Sequence, residues 1–161
     1  MSRGFFGNLP PAAHRPMNAT ELTPESLLPH RRPMLLVDEI LTLDDRCAVT
    51  RSTVRGDWPL CDGREASAIV LIELVAQTSG IHNGYIRGKV EGLAADKRGW
   101  IVGVRRAQWN SDRLAVGTRI VTRTENTMEF EGFRDVVGRV EIDGRPAADI
   151  TLQLLRADAR P

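Results

Sequence analysis

Two side chains with acid–base capacity stand out from a chain otherwise built for packing. His30 lies in Leu27-Leu28-Pro29-His30-Arg31-Arg32-Pro33. Two prolines four residues apart exclude a helix there, and each biases the residue before it to extended backbone. The imidazole is therefore expected in a stiff loop, a natural place for a general base. Glu73 is the lone carboxylate of Ile69-Val70-Leu71-Ile72-Glu73-Leu74-Val75-Ala76. An unpaired ionised carboxylate in such apolar company is costly, so it is expected to be hydrogen-bonded, protonated or at an opening in the burial. A carboxyl group so placed suits general acid work. Gln77 follows one helical turn later on the same face, where it can orient the carboxylate or bind substrate. Together these groups form an acid and a base able to act on opposite ends of one substrate, although each taken singly reads more readily as structural.

The elements that must position them follow from composition and pattern. The chain has 161 residues, 42% hydrophobic and 27% charged, with a net charge of +1. These values fit one soluble domain and argue against a nucleic-acid or membrane coat. Of the 22 basic residues only Lys89 and Lys97 are lysine. Cys47 and Cys61 are too few for a disulfide scaffold, so a reducing, cytoplasmic setting is expected. No apolar run approaches the roughly 20 residues of a membrane helix. Residues 1–23 read as a proline-broken tail, and residues 24–161 as a single domain. Strands are expected over Met34–Leu43, Cys47–Val54, Trp100–Trp109, Thr118–Glu125, Phe130–Ile142 and Pro146–Leu155, the last two joined by the hairpin dipeptide Asp143-Gly144. One long helix is expected over Arg64–Gly88, opened by a capping-box-like Asp62 and Glu65. The order is β-β-α-β-β-β-β, an α+β arrangement in which an antiparallel sheet buries one very apolar helix.

The segment Leu28-Pro29-His30-Arg31-Arg32-Pro33-Met34-Leu35-Leu36-Val37-Asp38 resembles the "LPHR-x-P-x-LLVD" motif of bacterial 3-hydroxyacyl-acyl-carrier-protein dehydratases. Leu71-Ile72-Glu73-Leu74-Val75-Ala76-Gln77 resembles their "IIEALAQ" helix motif, and the likeness runs in order from Leu27 to Leu155. The details "PHR-x-PM" and "IE-x-x-AQT" are most similar to the dehydratases of aryl-polyene-type biosynthetic clusters. This resemblance implies the hot-dog fold, a curved antiparallel sheet wrapped around one long central helix. It implies dehydration of 3-hydroxyacyl thioesters to trans-2-enoyl thioesters in fatty-acid or polyene-type synthesis. By the same analogy His30 takes the α-proton, and Glu73 of the partner subunit of a dimer protonates the leaving hydroxyl. Backbone N–H groups between Cys61 and Ser67, with Cys61 and Gly63 as the named candidates, hold the thioester oxygen. No cofactor is implied beyond the phosphopantetheine thioester of acyl carrier protein or coenzyme A. The implied partners are acyl carrier protein and a second hot-dog subunit, identical or paralogous. The family's "GHFPG-x-P-x-MPG" loop is replaced here by Asp57–Ala68, in which only Trp58-Pro59 echoes it.

Two alternatives accompany this reading: an acyl thioesterase on the same scaffold, and a non-catalytic partner subunit of a paralogous dehydratase. His30, Cys47, Cys61 and His82 lack metal-ligand spacing, so no metal site is expected. His82 is expected as a polar cap or interface residue. Arg31 and Arg32 read either as contacts for the phosphopantetheine phosphate or an acidic carrier-protein surface, or as a solvated pair.

Overall fold

The computed structural model describes residues 22–92 and 94–157. The elements are α1 (Pro24–Leu27), β1 (Glu39–Leu43), β2 (Cys47–Thr53), β3 (Glu65–Ser67), α2 (Val70–Glu91), β4 (Gly99–Trp109), β5 (Arg113–Ala115), β6 (Arg119–Phe130), β7 (Phe133–Ile142) and β8 (Arg145–Arg156). Six strands make one antiparallel sheet in the order β1-β2-β6-β7-β8-β4, and β3 pairs with β5 in a small second sheet. The large sheet packs against α2, which is the α+β, hot-dog arrangement that the motifs imply. The expected tail falls, through residue 21, outside the described residues. Among the described residues no helix is long and apolar enough to cross a membrane.

The core follows the sequence patterns. Leu71, Leu74, Val75 and Ile81 of α2 are buried against Ile120 of β6, Val140 of β7 and Ile150 and Leu152 of β8. Alternation puts Ile120, Thr122 and Thr124 of β6 inward and their neighbours outward. At Gly138 the helix crosses so near the sheet that a Cβ would fall inside contact distance of Val75. The Asp143-Gly144 hairpin forms as expected, both residues left-handed at φ 51° and 71°. The same device, Glu131-Gly132 at 48° and 82°, joins β6 to β7 inside the span read as a single strand.

Three expectations need correction. The helix begins at Val70, not near Arg64, because Glu65–Ser67 is drawn into β3 against Arg113–Ala115. Asp62 does not cap α2; its Oδ1 accepts from the N–H groups of Arg64 and Glu65 and closes a turn. Those bonds hold the Asp62 carboxyl below its usual pKa. Met34–Asp38 is not a strand, since its backbone is spent on α2 and the Arg55 side chain, and pairing starts at Glu39.

Candidate active site

The His30 loop is fastened at both ends. Thr23 and Ser26 form a reciprocal capping box on α1, and Leu27 and Leu28 are buried. The loop then runs along α2 over two of its three glycines. A Cβ at Gly80 would stand 2.7 Å from Leu28 Cδ2, and one at Gly84 would stand 2.7 Å from the Leu27 carbonyl. Small residues at i and i+4 thus let a strip of main chain lie directly on the helix. Beyond the histidine, Asp38 accepts from Arg32 (3.1 Å), Arg55 (2.8 Å) and the Thr53 N–H (2.7 Å). Arg55 also donates to the Leu35 carbonyl at 2.8 Å, which ties the far side of the loop to the segment that follows β2.

Gln77 locks loop to helix. Its Oε1 accepts from the Leu36 N–H at 2.9 Å. Its Nε2 donates to the Met34 carbonyl at 2.6 Å and to Glu73 Oε1 at 2.9 Å. A backbone N–H can only donate and a carbonyl can only accept, so the amide has a single workable orientation. The side chain is 1% exposed, and every one of these bonds is shielded from water on the glutamine side.

These constraints bring His30 Nε2 to 3.4 Å from Glu73 Oε1. The side chains are 34% and 29% exposed, so the pair stands at an opening rather than in the sealed core. Glu73 therefore meets two of the conditions set for a carboxylate in an apolar helix: it is hydrogen-bonded and it faces a gap. His30 Nδ1 is buried without a hydrogen-bond partner among the described residues. Nε2 is consequently the nitrogen that faces the carboxylate. The pair opens on a narrow cavity of about 250 Å³ that follows one face of α2 from Glu73 through Gln77 and Gly80 to Arg87.

Within one chain the two groups already meet. The cause is the loop path over Gly80 and Gly84, which delivers His30 to its own helix. Cys61 and Gly63 are not brought to this place, and neither lines the cavity. Several N–H groups of this stretch are already used. Cys61 donates to the Trp58 carbonyl, Asp62 to the Glu65 carbonyl and Ser67 to the Leu60 carbonyl. The oxyanion role expected of Cys61 and Gly63 finds no support in this geometry. His82 does not cap the helix. It is buried in α2 with Nε2 3.1 Å from the Asp44 carbonyl, and burial lowers its pKa below 6.5. Arg31 is turned back onto the carbonyls of Leu28 and His30, and Arg32 onto Asp38, so both serve the loop. No group of three or more His, Cys, Asp or Glu side chains suited to a metal ion occurs among the described residues.

Sequence reasoning missed Asp38 with Arg55, and the lining contributed by β4, β8 and residues 95–98. The spacing Gly80-x-x-x-Gly84 on an apolar helix was the available signal for a close backbone neighbour.

A family model, ApeP-like (ApeP dehydratase), matches residues 22–160. The 3-hydroxyacyl-[acyl-carrier-protein] dehydratase FabZ of Thiobacillus denitrificans is 27% identical over 139 residues, covering 81% of this chain and 92% of that protein. FabZ of Streptococcus pyogenes serotype M1 is 28% identical over 137 residues, covering 80% and 91%. Among solved structures, the dehydratase heterocomplex ApeI:P from Xenorhabdus doucetiae matches with a TM-score of 0.76 at 22% identity, covering 85% of this chain and 92% of that one. A hypothetical thioesterase with coenzyme A from Streptococcus pneumoniae TIGR4 has the same fold at a TM-score of 0.55 and 17% identity, covering 76% and 88%.

Proposed function

The chain belongs to the ApeP-like dehydratase family, and from that premise we propose that His30 and Glu73 of one chain are the base and acid that remove water from 3-hydroxyacyl thioesters of acyl carrier protein. The observation that carries this reading is the 3.4 Å approach of His30 Nε2 to Glu73 Oε1 at the mouth of a cavity. His30 takes the α-proton through Nε2. The electrons of that C–H bond form the 2,3 double bond, and the C3–O bond breaks. Glu73 delivers a proton to the departing hydroxyl, which leaves as water. The pair then holds imidazolium beside carboxylate. Return of the proton from Nε2 to Oε1 across their contact restores the starting state without help from solvent. Gln77 keeps the carboxyl group aimed, because its Nε2–H can donate to Oε1 in either protonation state.

A hydrolytic reading needs a water opposite Glu73. The presence of a fixed imidazole there favours elimination. His30→Ala and Glu73→Gln are each expected to cut enoyl-thioester formation by about 10²–10⁴-fold with the fold intact. Release of free thiol in place of enoyl product would overturn the assignment.

A second hot-dog subunit is the partner this surface suits. β4 is the last strand of the sheet, and Trp100, Ile101, Val102 and Val104 are exposed along it. Eleven residues of bare edge carrying large apolar side chains are a site for strand pairing. Acyl carrier protein is the proposed substrate carrier.

A further inference from the structure

The cavity does not end as an apolar channel would. Past Gly84 its walls carry Arg87, Lys97, Arg98, Arg134 and Arg156, and the one carboxylate among the lining residues at that end is Asp96. Asp96 is committed to Arg98 at 2.8 Å. Arg87 is bonded to Glu91 and to the Asp96 carbonyl. Lys97 differs from these, since its ammonium meets the neutral carbonyl of Ser26 and no carboxylate among the described residues. Arg134 spends one terminal nitrogen on Glu129, but its Nε is buried and has no hydrogen-bond partner. Its side chain is only 11% exposed. Strand register places Arg134 opposite Leu154, and Leu154 opposite Ile101, on one rung of the sheet. Two residues further along β8, the main-chain N–H of Arg156 donates to the Gly132 carbonyl, and the residue stands opposite Gly99. The cations therefore gather round one end of the same trough. The Lys97 ammonium, which meets no carboxylate among the described residues, and the buried Arg134 Nε–H, which has no acceptor, are donors that an anion would complete.

We propose that this end of the cavity is an anion-binding subsite, with Lys97 and Arg134 as donors, that receives an anionic group of the substrate. The subsite rests on the reading of this cavity as the substrate channel. Fourteen residues of helix separate Glu73 from Arg87, so the anion stands ~20 Å from the reacting carbons. Two parts of an acyl thioester can place a negative charge there. One is the phosphate of the phosphopantetheine arm, and the other is an acidic group at the far end of the acyl chain. Arg31 and Arg32, the basic pair beside His30, are held by the loop itself and do not compete for this role.

The test is binding, so it does not depend on turnover or on the roles of His30 and Glu73. Calorimetry on the full chain would use three non-reacting thioethers: an S-alkyl pantetheine, its 4′-phosphate, and an S-(ω-carboxyalkyl) pantetheine. One anionic ligand is expected to bind about tenfold more tightly than the neutral one, the size of one charge-assisted hydrogen bond. Preference for the 4′-phosphate identifies the carrier arm, and preference for the carboxylate identifies the acyl terminus. Added salt is expected to erode that preference. Lys97→Met and Arg134→Gln should each remove most of it, with thermal melting used to show that the chain remains folded. Lys97→Arg should restore it. Equal affinity for all three ligands, or a preference that survives both substitutions, would overturn the proposal. An anion preference in a chain whose enoyl formation survives His30→Ala would leave the subsite standing and defeat the base assignment; loss of enoyl formation in His30→Ala with no anion preference would defeat the subsite and leave the dehydratase reading standing.

Discussion

Replacing Gln77 with glutamate tests the lock between loop and helix by changing one atom. The substitution keeps the shape of the side chain and the acceptor for the Leu36 N–H. It puts an oxygen where Nε2 now donates, 2.6 Å from the Met34 carbonyl and 2.9 Å from Glu73 Oε1. Three acceptors then share one spot, and at least one proton must enter for the geometry to persist. A glutamate with an unfolded pKa of about 4.3 costs roughly 1 kcal/mol to protonate at pH 5 and about 5 kcal/mol at pH 8. Glu73 is partly exposed and can swing away from the conflict, which caps the cost at the value of the bonds it leaves. The penalty of Gln77→Glu relative to wild type is therefore expected to be small at pH 5 and to grow by about 2 kcal/mol by pH 8. The sign follows from linkage: the folded variant binds a proton that the unfolded chain has lost, so stability falls as pH rises. Urea denaturation of both proteins at the two pH values measures it. An unchanged penalty between pH 5 and 8 would refute the hydrogen-bond pattern assigned to Gln77.

Gly84→Ala places a methyl group 2.7 Å from the Leu27 carbonyl; a loss of about 1–3 kcal/mol on denaturation and a fall in kcat are expected, because the His30 loop must lift. Asp38→Asn removes the carboxylate shared by Arg32 and Arg55. Steady-state kinetics should show kcat falling more than KM rises, and rescue by glutamate should be poor. Burial depresses the pKa of His82 below 6.5, so the native state resists a proton that the unfolded chain accepts. Wild-type stability should drop as pH falls below about 6.5, and His82→Gln should flatten that slope in melts from pH 8 to 5. Val102→Lys on the bare β4 edge should weaken association, read as a smaller species by light scattering.

Much of the site was legible because its chemistry sits in two local motifs. Pro29 and Pro33 mark the His30 loop as rigid, and the isolation of Glu73 in an apolar run marks it as special. What could not be read is that the loop lays His30 beside Glu73 of its own helix. That depends on Leu27 and Leu28 lying on Gly80 and Gly84, contacts more than 50 residues apart in sequence. The start of the helix was misplaced for a related reason. Asp62 and Glu65 satisfy a turn as well as a helix cap, and only the distant Arg113–Ala115 strand decides between them. Trp100 to Val104 reads as an apolar strand from its residues, and it is one. Its place at the open edge of the sheet is a property of the strand order, which alternation does not encode.

The central claim is that base and acid belong to one chain, and subunit mixing tests it directly. His30→Ala and Glu73→Gln chains, each inactive, are unfolded together at equal amounts, refolded, and assayed for enoyl-thioester formation. With the pair inside one chain every site in the mixture carries a lesion, and activity should stay at the level of the single variants. Recovery to about a quarter of wild type, the share of intact sites that random dimers would contain if the groups met across the subunit contact, would contradict the account.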